Sequence, residues 1–320
     1  MAMIPHSIFG AALLTLACNA PAQNYPAKPI RIVVPFAAGS GADANPRFYG
    51  EWVSKLWGQS IVVDNRPGGS GVIAVQTVKS AAADGYTLLT GTTSTIGVNP
   101  VVMKDLPYDP AKEFRPVILF GLSPTAFVVG GNSPSKTLKE FAAVTKKTGV
   151  PLAVGNYSAG YELLSIWFGM VNGFAITPVP YKGSSPVMTD VIGGQIASGM
   201  IDSGGAAPLI KEGRMRALVI TAETRHPLLP DVPTMKESGF PEFISYSWSS
   251  IFVRSETPDA IVNKLHEGFR AAMESPEGRA YQATRTSIIV SYTPQEIRAF
   301  VTADAERYRK IAQMAGIKPR

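Results

Sequence analysis

The sequence predicts an α/β protein made of two units, each a mostly parallel β-sheet flanked by helices. Apolar, strand-like runs alternate with helix-like segments from Ile30 to Gly97, and from Arg115 the alternation resumes. In both series, Gly-rich turns separate a strand from the helix that follows. A chain of 320 residues is long enough for two domains of ordinary size.

The first 22 residues predict a signal peptide that directs the chain to export. An apolar run at residues 8–17 is too short to span a membrane, and Ala20-Pro21-Ala22 fits the small-x-small cleavage pattern. We therefore expect the mature chain to begin at or near Gln23. Cys18 is the only cysteine, and it leaves with the signal peptide unless it accepts a lipid anchor, which is the alternative.

The first element of the mature chain is a strand, a Gly-rich turn and a helix. Ile30–Val34 is nearly continuously apolar and β-branched, as in a buried parallel strand. Gly39 and Gly41 lie in the turn, and the apolar face of the following helix comprises Phe48, Trp52 and Leu56. The first N–H groups of a helix have no internal acceptor and the helix dipole is positive there, so this turn suits an anion.

Two further strand–helix units complete the first series. Strands are predicted at residues 61–63 and 85–89, with a helix at residues 72–82 between them. The second of these strands leads into a loop of small hydroxyl side chains at residues 91–97. Parallel units place their loops together at the carboxyl edge of the sheet, where open α/β sheets bind ligands.

The second series begins with strands at residues 117–120 and 126–129 on either side of Ser123-Pro124. A strand at residues 152–154 then runs into the Gly-rich turn 155–161, before another helix. The remaining predicted elements are a helix at 135–147, strands at 176–179, 197–201, 217–220 and 247–254, an irregular Pro- and Gly-rich connection at 227–241, and helices at 259–275 and 294–314.

Composition and motifs exclude several classes of function. The net charge is +6, but Lys and Arg are scattered, which argues against a nucleic-acid tract. With three histidines in the whole chain and no cysteine after cleavage, neither a metal site nor a Cys/His pair is expected. Ser158 lies in G-N-Y-S-A-G, which is not the G-x-S-x-G nucleophile elbow. We therefore expect no cofactor.

Two classes of protein use a strand, a Gly-rich turn and a helix in this way. One is a solute-binding protein that holds a small carboxylate at the helix end. The other is an NAD(P)-dependent oxidoreductase, since residues 39–44 match G-x-G-x-x-A and Asp64 ends the next strand. Four residues separate the strand from Gly39, whereas the dinucleotide fingerprint turn is tight against its strand. The oxidoreductase is therefore the alternative.

Motifs along most of the chain then point to one family. Pro35-Phe36, Gly39, Asp43 and Arg47 fit the pattern P-F-x-x-G-x-x-x-D-x-x-x-R. Further motifs are D-N-R-P-G at 64–68, G-Y-T-L at 85–88, L-P-Y-D-P at 106–110, F-R-P-V at 114–117, V-P-Y-K-G-S at 179–184, G-G-Q at 193–195 and L-P-D-V-P-T at 229–234. Together and in this order they resemble the solute-binding proteins of tripartite tricarboxylate transporters, the Bug family.

The resemblance implies a type II periplasmic binding protein, or Venus flytrap, in which two lobes joined by crossing strands enclose a small organic anion. Lobe 1 would comprise residues 23–122 and 248–320, and lobe 2 residues 123–247. The implied ligand is a small organic carboxylate or dicarboxylate, delivered to the membrane permease of a tripartite tricarboxylate transporter. We accordingly expect a monomer without catalytic residues, cofactor, metal or nucleic-acid partner.

The resemblance also implies which residues face the ligand. Backbone amides of the first turn, around residues 40–42, would hold a carboxylate together with ordered waters. Asp43 would cap the helix or contact an amino or hydroxyl group of the ligand. The full expected set is Phe36, Gly39, Ser40, Gly41, Ala42, Asp43, Thr93, Ser94, Tyr157, Ser158, Ala159, Gly160, Tyr161 and Asp202.

Side chains would assist these amides without replacing them. The hydroxyls of Ser94 and Ser158 are expected to add hydrogen bonds to the carboxylate. Phe36 and Tyr161 would shape the apolar body of the ligand. Arg47 lies about one turn into the helix, so we expect no dominant ion pair between an arginine and the ligand.

Overall fold

The structure, a computed structural model, describes residues 25–320, so the predicted signal peptide, its cleavage site and Cys18 lie outside the described residues. Its strands are β1 (Ile30–Val34), β2 (Ile61–Asn65), β3 (Thr87–Thr92), β4 (Phe114–Gly130), β5 (Leu152–Asn156), β6 (Ile176–Pro180), β7 (Ser198–Asp202), β8 (Met215–Ile220) and β9 (Tyr246–Arg254).

The helices alternate with these strands. They are α1 (Gly41–Trp57), α2 (Val72–Lys79), α3 (Asn99–Val102), α4 (Pro110–Glu113), α5 (Leu138–Thr148), α6 (Ala159–Asn172), α7 (Ser184–Ile192), α8 (Ser203–Lys211), α9 (Asp259–Glu274), α10 (Pro276–Ala283) and α11 (Pro294–Met314). A 3-10 turn at Gly69–Gly71 and a π-helical turn at Thr93–Val98 complete the described elements. Across residues 25–320, every helix is too short or too polar to cross a membrane.

The strands form one sheet with two distinct halves. In the first half, β1 pairs in parallel with β2 and β3, and β9 lies antiparallel between β3 and β4. In the second half, β5 pairs in parallel with β6 and β7, and β4 is antiparallel to β7 and β8. The first part of β4 thus belongs to the first half and its last part to the second, so β4 links the two.

Each half has its own apolar core. Tyr49 of α1 stacks on Phe120 of β4 in the first half, with ring centroids 5.3 Å apart. Trp167 of α6 stacks on Phe243 at 3.9 Å in the second. Helix α11 contributes to both, since its Ile297 packs in the first half and its Tyr308 in the second. The lobe boundaries expected near residues 122 and 247 stay predictions.

The prediction of two strands around Ser123-Pro124 is wrong, because β4 is continuous from Phe114 to Gly130. Pro124 is tolerated where the strand changes partners: it is the last β4 residue paired with β9, and Thr125 is the first paired with β7. Two residues before Pro124, Leu122 exchanges backbone hydrogen bonds with Ile288, which lies outside the named strands. A proline can therefore mark a change of partner rather than the end of a strand.

Helices α7, α8 and α10 were not predicted. All three are short, and α8 begins with Ser203-Gly204-Gly205, a poor helix-forming sequence. Its start is stabilised by Asp202, whose carboxylate accepts a hydrogen bond from the Gly205 N–H at 2.8 Å. The cap, rather than intrinsic propensity, accounts for this helix.

Candidate functional site

A cavity lined by hydroxyl groups, main-chain groups and aromatic rings lies at the boundary between the two halves of the sheet. The first half contributes the turn between β1 and α1, the end of β3 and the start of β9, and the second half contributes the ends of β5 and β7. The cavity volume of about 70 Å³ limits its occupant to a small molecule. The predicted site residues on its wall are Phe36, Gly39, Gly41, Ala42, Thr93, Ser94, Tyr157, Tyr161 and Asp202.

The turn between β1 and α1 is held by a buried carboxylate. Gly39 takes φ +87°, a left-handed conformation that favours glycine. The Asp43 carboxylate accepts hydrogen bonds from the Gly39 N–H at 3.0 Å, from Arg47 Nε at 2.9 Å and from Asn65 Nδ2 at 2.9 Å. Asp43 lies behind the cavity wall and ties the turn to α1 and β2. The expected ligand contact of Asp43 stays a prediction.

These contacts keep Asp43 charged. Burial works against the charged form, but the hydrogen bonds from Arg47, Gly39 and Asn65 favour it, and together they place the pKa of this carboxyl below its ordinary value. Arg47 is engaged by the same network, since its guanidinium also donates to Asn65 Oδ1 at 2.6 Å. Arg47 therefore acts within the first half, away from the cavity wall.

Helix α1 presents its N-terminus to the cavity. Gly41, Ala42, Ala44 and Asn45 of its first turn line the wall. The N–H groups at the start of a helix have no acceptor within it, and the dipole makes this end positive. Ser40 precedes the helix with its hydroxyl buried, and that hydroxyl finds no partner within residues 25–320. The arrangement can hold an anion through main-chain groups.

The loop after β3 brings hydroxyl groups to the same place. Thr93 Oγ1 accepts a hydrogen bond from the Trp248 N–H of β9 at 2.9 Å. Ser94 Oγ donates to Ser158 Oγ at 2.7 Å and accepts from the Gly160 N–H at 3.2 Å. These two bonds connect the first half to the second.

The wall from the second half carries two phenols and a carboxylate. The Tyr157 hydroxyl donates to Asp202 Oδ2 at 3.0 Å, while Asp202 Oδ1 caps α8 through Gly205. Burial and the neighbouring Asp202 carboxylate raise the pKa of both Tyr157 and Tyr161. Both phenols are therefore neutral hydrogen-bond donors at physiological pH.

Some predicted site residues lie off the cavity wall: Ser40, Asp43, Ser158, Ala159 and Gly160. Ser158 and Gly160 contact Ser94, and Ser158 also faces a neighbouring cavity lined by the glycines of the 3-10 turn and Lys182. Their role in ligand binding stays a prediction.

Several wall residues were not predicted from the sequence: Ala44, Asn45, Thr92, Gly121, Ser123, Gly204, Gly205, Ser247, Trp248, Ser249, Arg285 and Ser287. Those on β4, β9 and the segment after α10 come from distant parts of the sequence. The hydroxyls of Ser123 and Ser287, for example, hydrogen bond at 2.7 Å across 164 residues of sequence. No local motif marks such a contact.

Comparison with known sequences identifies the family. The profile of the tripartite tricarboxylate transporter family receptor, TctC, matches residues 47–317. A UPF0065 protein of Bordetella bronchiseptica is 34% identical over 94% of this chain and 89% of the relative. The protein BugT of Bordetella pertussis is 31% identical over 98% of this chain and 97% of the relative.

Solved structures agree with this match. A periplasmic transporter is 34% identical, with a TM-score of 0.88 over 92% of this chain and 99% of the other. A Rhodopseudomonas palustris protein with adipate is 31% identical, with a TM-score of 0.89 over 92% and 100% of the two chains. MatC from Rhodopseudomonas palustris, with bound malate, is 29% identical, with a TM-score of 0.86 over 90% and 99%.

The chain belongs to the TctC, or Bug, family of periplasmic solute-binding proteins. Its fold is the two-lobed type II periplasmic binding protein fold, as the sequence motifs predicted. Members of this family are receptors and not enzymes, so the oxidoreductase alternative is set aside. The turn from Pro35 to Gly41 serves a solute-binding fold despite its formal match to a dinucleotide motif.

Proposed function

We propose that this receptor captures a small organic carboxylate or dicarboxylate in the cavity and delivers it to the membrane permease of a tripartite tricarboxylate transporter. The N-terminus of α1 on the cavity wall, bordered by hydroxyl groups, is the observation that carries the proposal. Structures of relatives with adipate and with malate support the ligand class.

Main-chain N–H groups would hold one ligand carboxylate at α1. These groups and the helix dipole are fixed parts of the fold, so they need no charged side chain in contact with the ligand. On the wall from the second half, Asp202 already accepts hydrogen bonds from Tyr157 and Gly205. We assign Asp202 to positioning the wall that the second half contributes, because its carboxylate accepts hydrogen bonds from neighbouring donors.

The receptor would act as a monomer in the periplasm after removal of residues 1–22. The family is periplasmic, and the N-terminal sequence fits an exported chain. Intact mass of the protein from an envelope fraction tests this proposal. A mature chain beginning at Gln23 supports soluble export, whereas an acylated Cys18 would contradict it.

A pair of substitutions at Gly41 tests the main-chain contact. Proline suits the first position of a helix, and Ser40 already has the extended backbone, φ −73° and ψ 160°, that precedes proline. Gly41→Pro should therefore remove one N–H while α1 still forms. Gly41→Ala is the matched control, since its Cβ would lie 3.5 Å from Asp202 Oδ1, in ordinary contact.

The measurement is calorimetric titration with adipate and malate, after unfolding and refolding to remove any retained solute. Hydrogen bonds to charged groups contribute about 1.5–3 kcal/mol, so Gly41→Pro should bind at least roughly tenfold more weakly than Gly41→Ala. Equal affinities of the two variants would contradict the main-chain contact. Absence of binding of any small carboxylate to the wild type would contradict the proposed function itself.

A further inference from the structure

Among residues 25–320, one cationic side chain reaches the cavity wall. Arg285 follows α10 and is the only arginine or lysine among the described residues that line the cavity. It is half-buried, and its neighbours on the wall include Asn45 of α1 and Ser287. The other groups on this wall are hydroxyls, amides, aromatic rings and the Asp202 carboxylate. Arg285 is therefore the only positive side chain that the described wall offers to an anion.

The Arg285 guanidinium is held in place by an aromatic stack. It lies over the ring of Tyr281, 4.6 Å from the centroid, and Tyr281 stacks on Phe48 of α1 with centroids 3.9 Å apart. The Tyr281 hydroxyl also hydrogen bonds to Asn45 Oδ1 at 3.3 Å. Stacking orients the plane of a guanidinium and leaves its N–H groups available at the edge.

The segment that carries Arg285 is anchored on both sides of the cavity. Ser287 Oγ hydrogen bonds to Ser123 Oγ of β4, and Thr286 Oγ1 hydrogen bonds to Ser203 Oγ of the second half, each at 2.7 Å. Ile288 exchanges backbone hydrogen bonds with Leu122. These contacts fix the backbone beside Arg285, so the side chain has a defined place on the wall.

Arg285 differs from the other arginines near the site in having no carboxylate partner. Arg47 pairs with Asp43, and Arg307 pairs with Asp304. Within residues 25–320, Arg285 forms no ion pair, and Asp202 on the same wall is engaged by Tyr157 and Gly205 instead. A partly buried guanidinium without an anion is suited to bidentate hydrogen bonding with a ligand carboxylate.

We infer that Arg285 binds the second carboxylate of a dicarboxylate, while the N-terminus of α1 holds the first. This inference rests on the proposed function and specifies the ligand class of the same cavity. Arg285 would then be a specificity-determining residue: it favours dicarboxylates over monocarboxylates of equal chain length. Its contribution should be absent when the ligand ends in a methyl group.

The test compares two ligands of equal chain length, adipate and hexanoate, with succinate and butyrate as a shorter pair. The variants are Arg285→Gln and, as the matched control, Arg279→Gln. Arg279 lies on α10 and donates to the Glu274 carbonyl oxygen at 3.0 Å, away from this cavity. Calorimetry on each refolded protein gives the affinities, and thermal unfolding checks that the variants fold.

In at least one of the two ligand pairs, the wild type and Arg279→Gln should bind the dicarboxylate at least tenfold more tightly than the monocarboxylate of the same chain length. In Arg285→Gln we expect this preference to fall below threefold, with monocarboxylate affinity unchanged within about twofold. Equal losses for both ligands, an unchanged preference, or tighter binding of monocarboxylates by the wild type would overturn the role of Arg285 while leaving carboxylate binding intact. A wild type that binds no ligand of either kind would overturn the proposed function as well.

Discussion

The two walls of the cavity are stabilised in different ways. On the first wall, the turn before α1 is tied to Asp43, Arg47 and Asn65, all within the first half of the sheet. Behind the second wall, Ser158 and Gly160 bond to Ser94 across the boundary. The first wall can thus form without the second, whereas part of the second depends on the two halves being together.

This difference indicates separate tasks for the walls. A wall that is rigid within its own half can present main-chain N–H groups in a fixed geometry, which lowers the cost of ordering them on binding. Contacts across the boundary include individual hydrogen bonds, such as that from the Ala37 N–H to the Lys182 carbonyl oxygen at 3.0 Å. Each of these hydrogen bonds is worth only about 0.5–1.5 kcal/mol, so they can break and re-form as the halves move.

The largest expected effect comes from breaking the first wall. Asp43→Ala removes the buried carboxylate that accepts hydrogen bonds from the Gly39 N–H and from Asn65, which should lower the free energy of unfolding by about 1–3 kcal/mol. Glu51→Ala is the matched control, because Glu51 is an exposed carboxylate of the same helix that also pairs with a residue four positions later, Lys55. Urea unfolding gives the free energy of unfolding of both variants. Equal destabilisation by Asp43→Ala and Glu51→Ala would contradict the special role of Asp43.

The same variant has a defined pH dependence. The pKa of Asp43 in the folded protein lies below its unfolded value of about 3.9, so its carboxylate stabilises the fold above that value. As pH falls through the folded pKa, the carboxyl takes up a proton and this stabilisation is lost. The difference in the free energy of unfolding between wild type and Asp43→Ala should therefore be constant from pH 6 to pH 7 and shrink at acid pH. A difference that grows in acid would contradict this explanation.

A smaller effect is expected from the hydrogen bond behind the second wall. Ser158→Ala removes one hydrogen bond across the boundary and should weaken ligand binding by about 0.5–1.5 kcal/mol, or roughly two- to tenfold. Ser165→Ala is the control, since its hydroxyl makes a bond of the same 2.7 Å length within α6, to the Glu162 carbonyl oxygen. Calorimetry should show weaker binding for Ser158→Ala alone. A similar loss of affinity in Ser165→Ala would indicate a general effect on α6.

The first wall was largely predictable from sequence because its signals are local. The apolar strand Ile30–Val34, the glycines at 39 and 41 and the start of the following helix all lie within one continuous segment. The role of Asp43 was only partly foreseen. A cap or ligand contact was expected, whereas its partner Asn65 comes from the end of β2 and becomes a neighbour only through the pairing of β1 with β2.

Features that depend on long-range contacts could not be read from local patterns. Pro124 predicts a strand break, but β4 continues because its partners change there. Arg285 lies in a segment without a motif, and it reaches the cavity because Ser287 and Ile288 bond to residues of β4. The family motifs located the binding turn, while the cation on its wall became visible only in the folded chain.

We expect the two halves of the sheet to close over a carboxylate ligand in the cavity between them. Small-angle scattering tests this most directly, with and without saturating adipate, on wild type and on a Ser94→Ala/Ser158→Ala double variant. The double variant lacks the hydroxyl contact between the halves, so its ligand-free form should be the more open one. We predict that adipate lowers its radius of gyration to that of the adipate-bound wild type. Superimposable curves with and without adipate in both proteins would contradict closure.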